Sequence, residues 1–394
     1  MGDMPNIWKL FVIRFFSSLI PAYVIERLFW EDRGMTIQMV VYTEIIFAFT
    51  IVLFEVPSGI MADKWGRKHM LVVSALLSCS EFLILVFATE FWHFALVVFL
   101  AAIGHSASSG AEDALLYDSL LAKGKEKHFE KIVGRLNALD TISIIIAALC
   151  GSFLASRFGY ELNYWISLGA VAISLGVTIL LVEPVRNSRE DDDGPLPIKA
   201  YLTDSVRFFR SNPGLCLVLL SGMVTGAAVN FIDEFWQIYL ERLNIPVVYF
   251  GLFSAAVFFL RLPGNILAYK LKNVFSYRAL LLGITAFLTA GFVYMSIMKD
   301  YSGLAAMIAV CLAAGIIEPL AAGYLHHRID SSMRATMGSF QSLGENFLLT
   351  FTGLGFGYYS SRFDIFGGFG FIAALCGMYF VYFLLASKKV AEQE

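Results

Sequence analysis

Apolar stretches of about 20 residues or more follow one another along nearly the whole chain. Hydrophobic residues occupy 58% of its 394 positions and charged residues only 15%, whereas soluble domains carry about 25% charged residues. Because about 20 apolar residues in an α-helix cross the hydrocarbon core of a bilayer, each stretch predicts a transmembrane helix. The sequence therefore predicts an all-α membrane protein that crosses the bilayer many times.

Twelve spans are predicted, in two groups of six. They define an N-terminal half (1–182) and a C-terminal half (213–394), separated by a polar stretch (183–212) that we interpret as a cytoplasmic linker. The predicted spans are about 7–28, 36–58, 69–89, 92–121, 132–157, 161–182, 213–240, 247–270, 278–298, 303–325, 335–358 and 365–387.

The distribution of basic residues predicts the orientation of these spans. Of the 29 Lys and Arg residues, 21 fall in or beside the loops on one side and 6 on the other. Because basic residues accumulate in cytoplasmic loops, both termini are expected in the cytoplasm and the protein in the cell membrane. The start of the chain lacks the basic region and cleavage site of a signal peptide, so the first span is interpreted as a true helix.

Several classes of site are not indicated. The five cysteines each lie inside a predicted span and far apart in sequence, which predicts neither disulfides nor a metal site. No P-loop pattern for nucleotide phosphates is present. We therefore expect no enzyme, no cofactor and no nucleic-acid partner, and any process that needs energy must draw it from an ion gradient or a separate subunit.

A charged stretch, Gly59–Lys68, separates the second and third spans. Its two glycines are expected to allow a tight turn and a close approach of helices. Its acid is placed to cap or pair with a neighbouring helix N-terminus. The residues that form the pattern are Gly59, Asp63, Gly66, Arg67 and Lys68.

This pattern resembles the loop between helices 2 and 3 of the major facilitator superfamily of secondary transporters. The resemblance implies two six-helix halves that work by alternating access, with helices 1, 4, 7 and 10 around a central cavity. It also implies that the loop is part of a cytoplasmic gate, and we expect Asp118 to pair there with Arg67 or Lys68, since buried charges are usually paired.

Acidic residues inside the spans are the main candidates for chemistry, because a charge at bilayer depth costs about 2.5–3.5 kcal/mol on insertion scales. An offset of 205 residues aligns Asp113 with Glu318 and Asp140 with Glu345, which indicates an internal duplication. Since basic residues are few inside the spans, several acids must be protonated part of the time or neutralised by a cationic substrate.

The resemblance places some of these acids on the translocation path and others beside it. Substrate or proton binding is predicted for Asp113, Asp233, Glu234 and Glu318, with Asp140 and Glu345 on the flanking helices. Glu112 is a further candidate, but adjacent helical residues point about 100° apart, so the repeat favours Asp113 as the one that faces the cavity.

Three short patches, 134–140, 231–236 and 315–318, are similar to the proton-coupled multidrug antiporters of this superfamily. This similarity implies proton-driven export of an amphipathic, cationic small molecule, and we expect a monomer in the bilayer. A proton symporter that imports a nutrient is the alternative, and a non-transporting receptor or scaffold is the second alternative. The sequence leaves open the substrate, the stoichiometry and the roles of Glu81 and His105.

Overall fold

The structure, a computed structural model, describes residues 5–183, 213–257, 259, 271, 274–326 and 334–387. These residues form α-helices and short turns, without a β-strand among them. In chain order the helices are α1 (Pro5–Ser18), α2 (Glu26–Asp32), α3 (Ile37–Trp65), α4 (Arg67–Phe87), α5 (Phe91–Ser108), α6 (Ala111–Leu121), α7 (Phe129–Phe158), α8 (Glu161–Ile179), α9 (Pro213–Arg242), α10 (Val247–Val257), α11 (Tyr277–Ile297), α12 (Tyr301–His326) and α13 (Arg334–Ala386). The predicted linker lies outside the described residues from 184 to 212.

The predicted all-helical membrane fold is confirmed. Nine helical segments of the described residues are long and apolar enough to cross a membrane, and two shorter apolar helices fall in the predicted eighth and tenth spans. The predicted eleventh and twelfth spans are both contained in α13, where the backbone leaves the helical conformation at Phe363 and Asp364. Asp364 has a φ of +58°, and its carboxylate accepts a hydrogen bond from the Arg242 side chain at 2.9 Å. This bond ties the junction of the last two spans to the end of α9.

The second span is longer than predicted. Helix α3 continues through Gly59 and ends only at Trp65. The next residue, Gly66, has a φ of +103° and supplies the turn into α4. The expectation that Gly59 forms a turn or a close helix contact was wrong, because it lies inside α3 with open space beside it. A side-chain carbon added at Gly59 would meet nothing within 4 Å. Of the two glycines, Gly66 has the left-handed backbone that favours this residue type.

The fourth span is not one continuous helix. It breaks at Ser109 and Gly110, where Gly110 has a φ of +69°, and resumes as α6. The break places Glu112 and Asp113 in the first turn of a new helix. Acidic side chains are favoured there because the N-terminal end of a helix carries a partial positive charge.

Two compact units are formed by the chain. The N-terminal unit contains Met1–Glu190 together with Ile245–Ala255, and the C-terminal unit contains Asp191–Asn244 together with Ala256–Glu394. Each unit has its own apolar core. One core of the N-terminal unit is built around Leu10, Leu115, Leu116, Leu120 and Leu136, and one of the C-terminal unit around Leu217, Val218, Leu219, Leu281 and Phe383.

Candidate functional site

An ion pair joins α1 to the start of α6 in the N-terminal unit. The Arg14 guanidinium lies 2.9 Å from the Glu112 carboxylate, and its Nε donates a second bond to the same oxygen at 3.1 Å. The two side chains are 29% and 21% exposed. Arg14 is thus the base that neutralises Glu112, and the break in the fourth span brings this carboxylate to it.

The two other predicted acids of this unit lie close by. Asp113 is exposed on α6 and Asp140 is half-buried on α7, and both are within electrostatic range of Glu112. The Ser18 hydroxyl, at the end of α1, donates a hydrogen bond to the Asp140 carboxylate. The structure therefore brings together three acids that lie up to 28 residues apart in sequence around one arginine.

A cavity of about 220 Å³, lined by both polar and apolar side chains, adjoins the ion pair. Arg14 and Glu112 both line it. Its other polar side chains are hydroxyls from α1, α4, α5 and α8, namely Ser17, Ser74, Ser78, Ser108, Ser174 and Thr178. Since a water molecule takes up about 30 Å³ of liquid and needs two to four polar partners, the cavity has the size to hold several waters and polar groups that can bind them. The ion pair therefore borders a cavity that has room for water.

The expected pair at the start of α4 is present. The Arg67 guanidinium bonds the Asp118 carboxylate and donates to the Ala114 backbone oxygen at 2.7 Å. Sequence reasoning missed a third member, Glu183, which directly follows the sixth span. Its two carboxylate oxygens accept the backbone N–H groups of Arg67 and Lys68 at 2.9 and 2.7 Å. The sequence could have indicated this contact, because Glu183 is an acid at the end of the sixth span, on the same predicted side of the membrane as the stretch Gly59–Lys68.

Glu183 acts as the N-terminal cap of α4, and removing it is expected to weaken the N-terminal unit. Glu183→Ala leaves two backbone donors without their acceptor and removes a negative charge from the positive end of the helix. We expect a loss of about 0.5–2 kcal/mol, seen as a lower unfolding temperature of the purified protein. Glu183→Gln keeps one acceptor oxygen and should lose less. Equal unfolding temperatures for wild type and the alanine variant would contradict the capping role.

Acids of the C-terminal unit are described only in part. Asp233 is exposed and Glu234 half-buried on α9. Two residues earlier, Phe231 packs against the Phe356 ring at 4.7 Å between centroids, and Phe235 does so at 4.9 Å. Both phenylalanines are buried, at 5% and 0% exposure. They belong to the core, so Asp233 and these rings occupy different faces of α9.

For three predicted residues the structure gives the helix but not the position of the side chain. Asp63, Glu318 and Glu345 lie in α3, α12 and α13, and their side chains are outside the described part of the structure. Their roles remain predictions. Among the described residues, no group of His, Cys, Asp and Glu is arranged to hold a metal ion.

Comparison with known proteins identifies the family. The model of the Major Facilitator Superfamily matches residues 10–352. An uncharacterized transporter of Buchnera aphidicola subsp. Schizaphis graminum is 28% identical over 142 residues, 36% of this chain and 35% of the relative. The multidrug resistance protein MdtL of Salmonella typhimurium is 26% identical over 172 residues, 43% of this chain and 42% of the relative.

These curated relatives are matched over about a third to a half of their own length. The crystal structure of the nucleoside transporter NupG superimposes with a TM-score of 0.77 at 13% identity, covering 98% of this chain and 99% of the other. That likeness shows the fold. Because the family model covers most of the sequence, the chain belongs to the Major Facilitator Superfamily.

Proposed function

We propose that the chain is a proton-coupled transporter that exports amphipathic, cationic small molecules by alternating access. The observation that carries the proposal is the surplus of acids around Arg14. Glu112, Asp113 and Asp140 supply three formal negative charges against one positive charge. A net charge inside a membrane protein is costly, so a site of this kind favours the binding of protons or of a cationic solute.

Exchange of the two cations at the same acids gives antiport. Protonation of a carboxylate removes its attraction for a cation and for a nearby base, which favours release of the solute. Water in the cavity beside Glu112 would carry the proton to and from the carboxylate. Asp140, held by Ser18, and exposed Asp113 are the proposed coupling partners in this unit.

The remaining proposed roles follow the sequence prediction. Asp233, Glu234, Glu318 and Glu345 would supply the acids of the C-terminal unit. Asp63, Arg67 and Asp118 would form the cytoplasmic latch. A monomer in the cell membrane with both termini in the cytoplasm is proposed. The similarity to a protein named for multidrug resistance supports efflux over import.

The test uses purified protein in liposomes that contain a pH-sensitive dye. A proton gradient is imposed, and lipophilic cations and a panel of nutrients are then added. We expect proton movement opposite to a lipophilic cation, reduced in Asp233→Asn and Glu318→Gln and retained in Asp300→Asn, an exposed acid between α11 and α12. Proton movement in the same direction as a nutrient would overturn export and make the chain a symporter.

A further inference from the structure

The cavity beside the ion pair is lined by hydroxyl oxygens that can accept hydrogen bonds from an occupant but not donate to it. Four of its hydroxyls donate their proton to a backbone oxygen, Ser17 to Arg14 at 3.2 Å, Ser108 to His105 at 3.0 Å, Ser174 to Ile13 at 3.4 Å and Thr178 to Ser174 at 2.8 Å. Because a hydroxyl has a single proton, these four oxygens offer only lone pairs to the cavity.

The Glu112 carboxylate supplies a further acceptor. Both contacts from Arg14, at 2.9 and 3.1 Å, end on the same carboxylate oxygen, Oε1. A guanidinium that pairs with a carboxylate through two parallel bonds engages both oxygens, and this pair does not. Among the hydrogen bonds of the described residues, none reaches the second oxygen, Oε2, so it remains able to accept a bond from a ligand.

The charges around the cavity favour a positively charged occupant. Arg14 is the one base among the described residues of the lining. Glu112 offsets it, and Asp113 follows Glu112 directly in the chain. Asp140 accepts a hydrogen bond from Ser18, which lies one helical turn beyond Arg14 on α1. Three carboxylates therefore lie near one guanidinium, and an added positive charge reduces the imbalance.

The rest of the lining is apolar, which favours an organic cation over a metal ion. These side chains are Leu10, Ile13, Leu71, Ala75, Val171 and Leu181. The cavity has room for several waters, and hence for a small organic molecule. A metal ion gains nothing from hydrocarbon walls, whereas an alkyl chain gains about fourfold in affinity for each methylene that it buries.

We propose that this cavity binds a primary alkylammonium group, and that the cationic solute of the proposed transport carries one. The N–H groups of the ammonium donate to Glu112 Oε2 and to the hydroxyl oxygens, and the alkyl chain lies against the apolar side chains. A quaternary ammonium has the same charge but no N–H group, so the lining selects against it. This inference rests on the proposed function, because it names the chemical class of the exported cation.

The test is a ligand-observed NMR titration of the purified full chain in lipid nanodiscs, with empty nanodiscs as the blank and no proton gradient. Butylammonium is compared with ethylammonium and with butyltrimethylammonium. We expect butylammonium to bind about tenfold more tightly than ethylammonium, because two more methylenes are buried. It should bind about tenfold or more tightly than the quaternary ion, which cannot donate a hydrogen bond to the carboxylate.

Variants of the lining separate hydrogen bonding from size. The double variant Ser174→Ala with Thr178→Val removes two acceptor oxygens, so the preference for the primary ion should fall about two- to tenfold. Glu112→Gln removes the negative charge and should weaken the binding of both ions. Ser156→Ala is the matched control, because this exposed hydroxyl on α7 also donates to a backbone oxygen, that of Phe153 at 2.8 Å, and should leave binding unchanged.

Three results would overturn the proposal. They are equal affinity for butylammonium and butyltrimethylammonium, a preference unchanged in the double variant, and sodium that displaces butylammonium at constant ionic strength. The proposed function fails separately. Selective binding without opposite proton movement in liposomes would contradict proton-coupled export and leave this site standing. Opposite proton movement driven equally by the primary and quaternary ions would support export and contradict this site.

Discussion

Glu112→Gln is expected to uncouple transport from proton movement. Glutamine keeps the shape of the side chain and an oxygen that can accept from Arg14, but it can neither carry the charge nor bind the proton. Coupling free energies between sites are typically about 1–3 kcal/mol, or about 5- to 150-fold. We therefore expect proton movement driven by a lipophilic cation to fall about tenfold or more in the liposome assay.

Matched variants separate this effect from a loss of structure. Glu130→Gln makes the same chemical change at an exposed position on α7 and should transport as the wild type does. The double variant Arg14→Gln with Glu112→Gln removes both charges, which avoids leaving one of them unpaired. It should fold and remain uncoupled. Full proton coupling in folded Glu112→Gln protein would contradict the role of this carboxylate.

Gly151→Ala is expected to destabilise the N-terminal unit. A side-chain carbon at this position of α7 would lie 2.3 Å from the Pro21 backbone oxygen and 2.9 Å from the Val24 side chain. The buried Asn163 amide donates to the backbone oxygens of both Pro21 and Gly151, at 3.2 and 2.9 Å. The two segments are thus tied together and cannot separate without losing these bonds.

The expected cost is that of overpacking a core, about 1–3 kcal/mol or somewhat more. Thermal unfolding of the purified protein measures it. Gly134→Ala on the same helix is the matched control, because its added carbon would meet nothing within 4 Å. Since alanine favours a helix over glycine by about 0.5–1 kcal/mol, the control should be neutral or stabilised. An unfolding temperature for Gly151→Ala equal to that of the control would contradict the predicted overpacking against Pro21 and Val24.

The sequence alone determined the class of fold. Apolar stretches of membrane length, few charges and a bias of basic residues are properties of composition and order, and they require no tertiary contact to be recognised. The pattern from Gly59 to Lys68 indicated the family, and the pair between Arg67 and Asp118 was expected from the rarity of unpaired buried charges.

These patterns did not predict the backbone conformation at two glycines. The helix through Gly59 and the break at Gly110 both involve glycine, which is compatible with a helix and with a turn. Which of the two forms depends on packing against neighbouring helices. The fourth span was predicted as one continuous helix from residue 92 to 121. The position of Glu112 in the first turn of a new helix, and its ion pair with Arg14, therefore could not be predicted from the sequence.

Tertiary structure decided which charges meet. Glu183 lies at the start of the predicted linker and Arg27 near the end of the first predicted span, yet Glu183 caps α4 and Arg27 is buried beside the Glu44 carboxylate. Glu81 lies within electrostatic range of residues from three other segments of the chain. Sequence spacing gives the partners of a side chain only within its own helix, whereas contacts between helices depend on how the whole bundle packs.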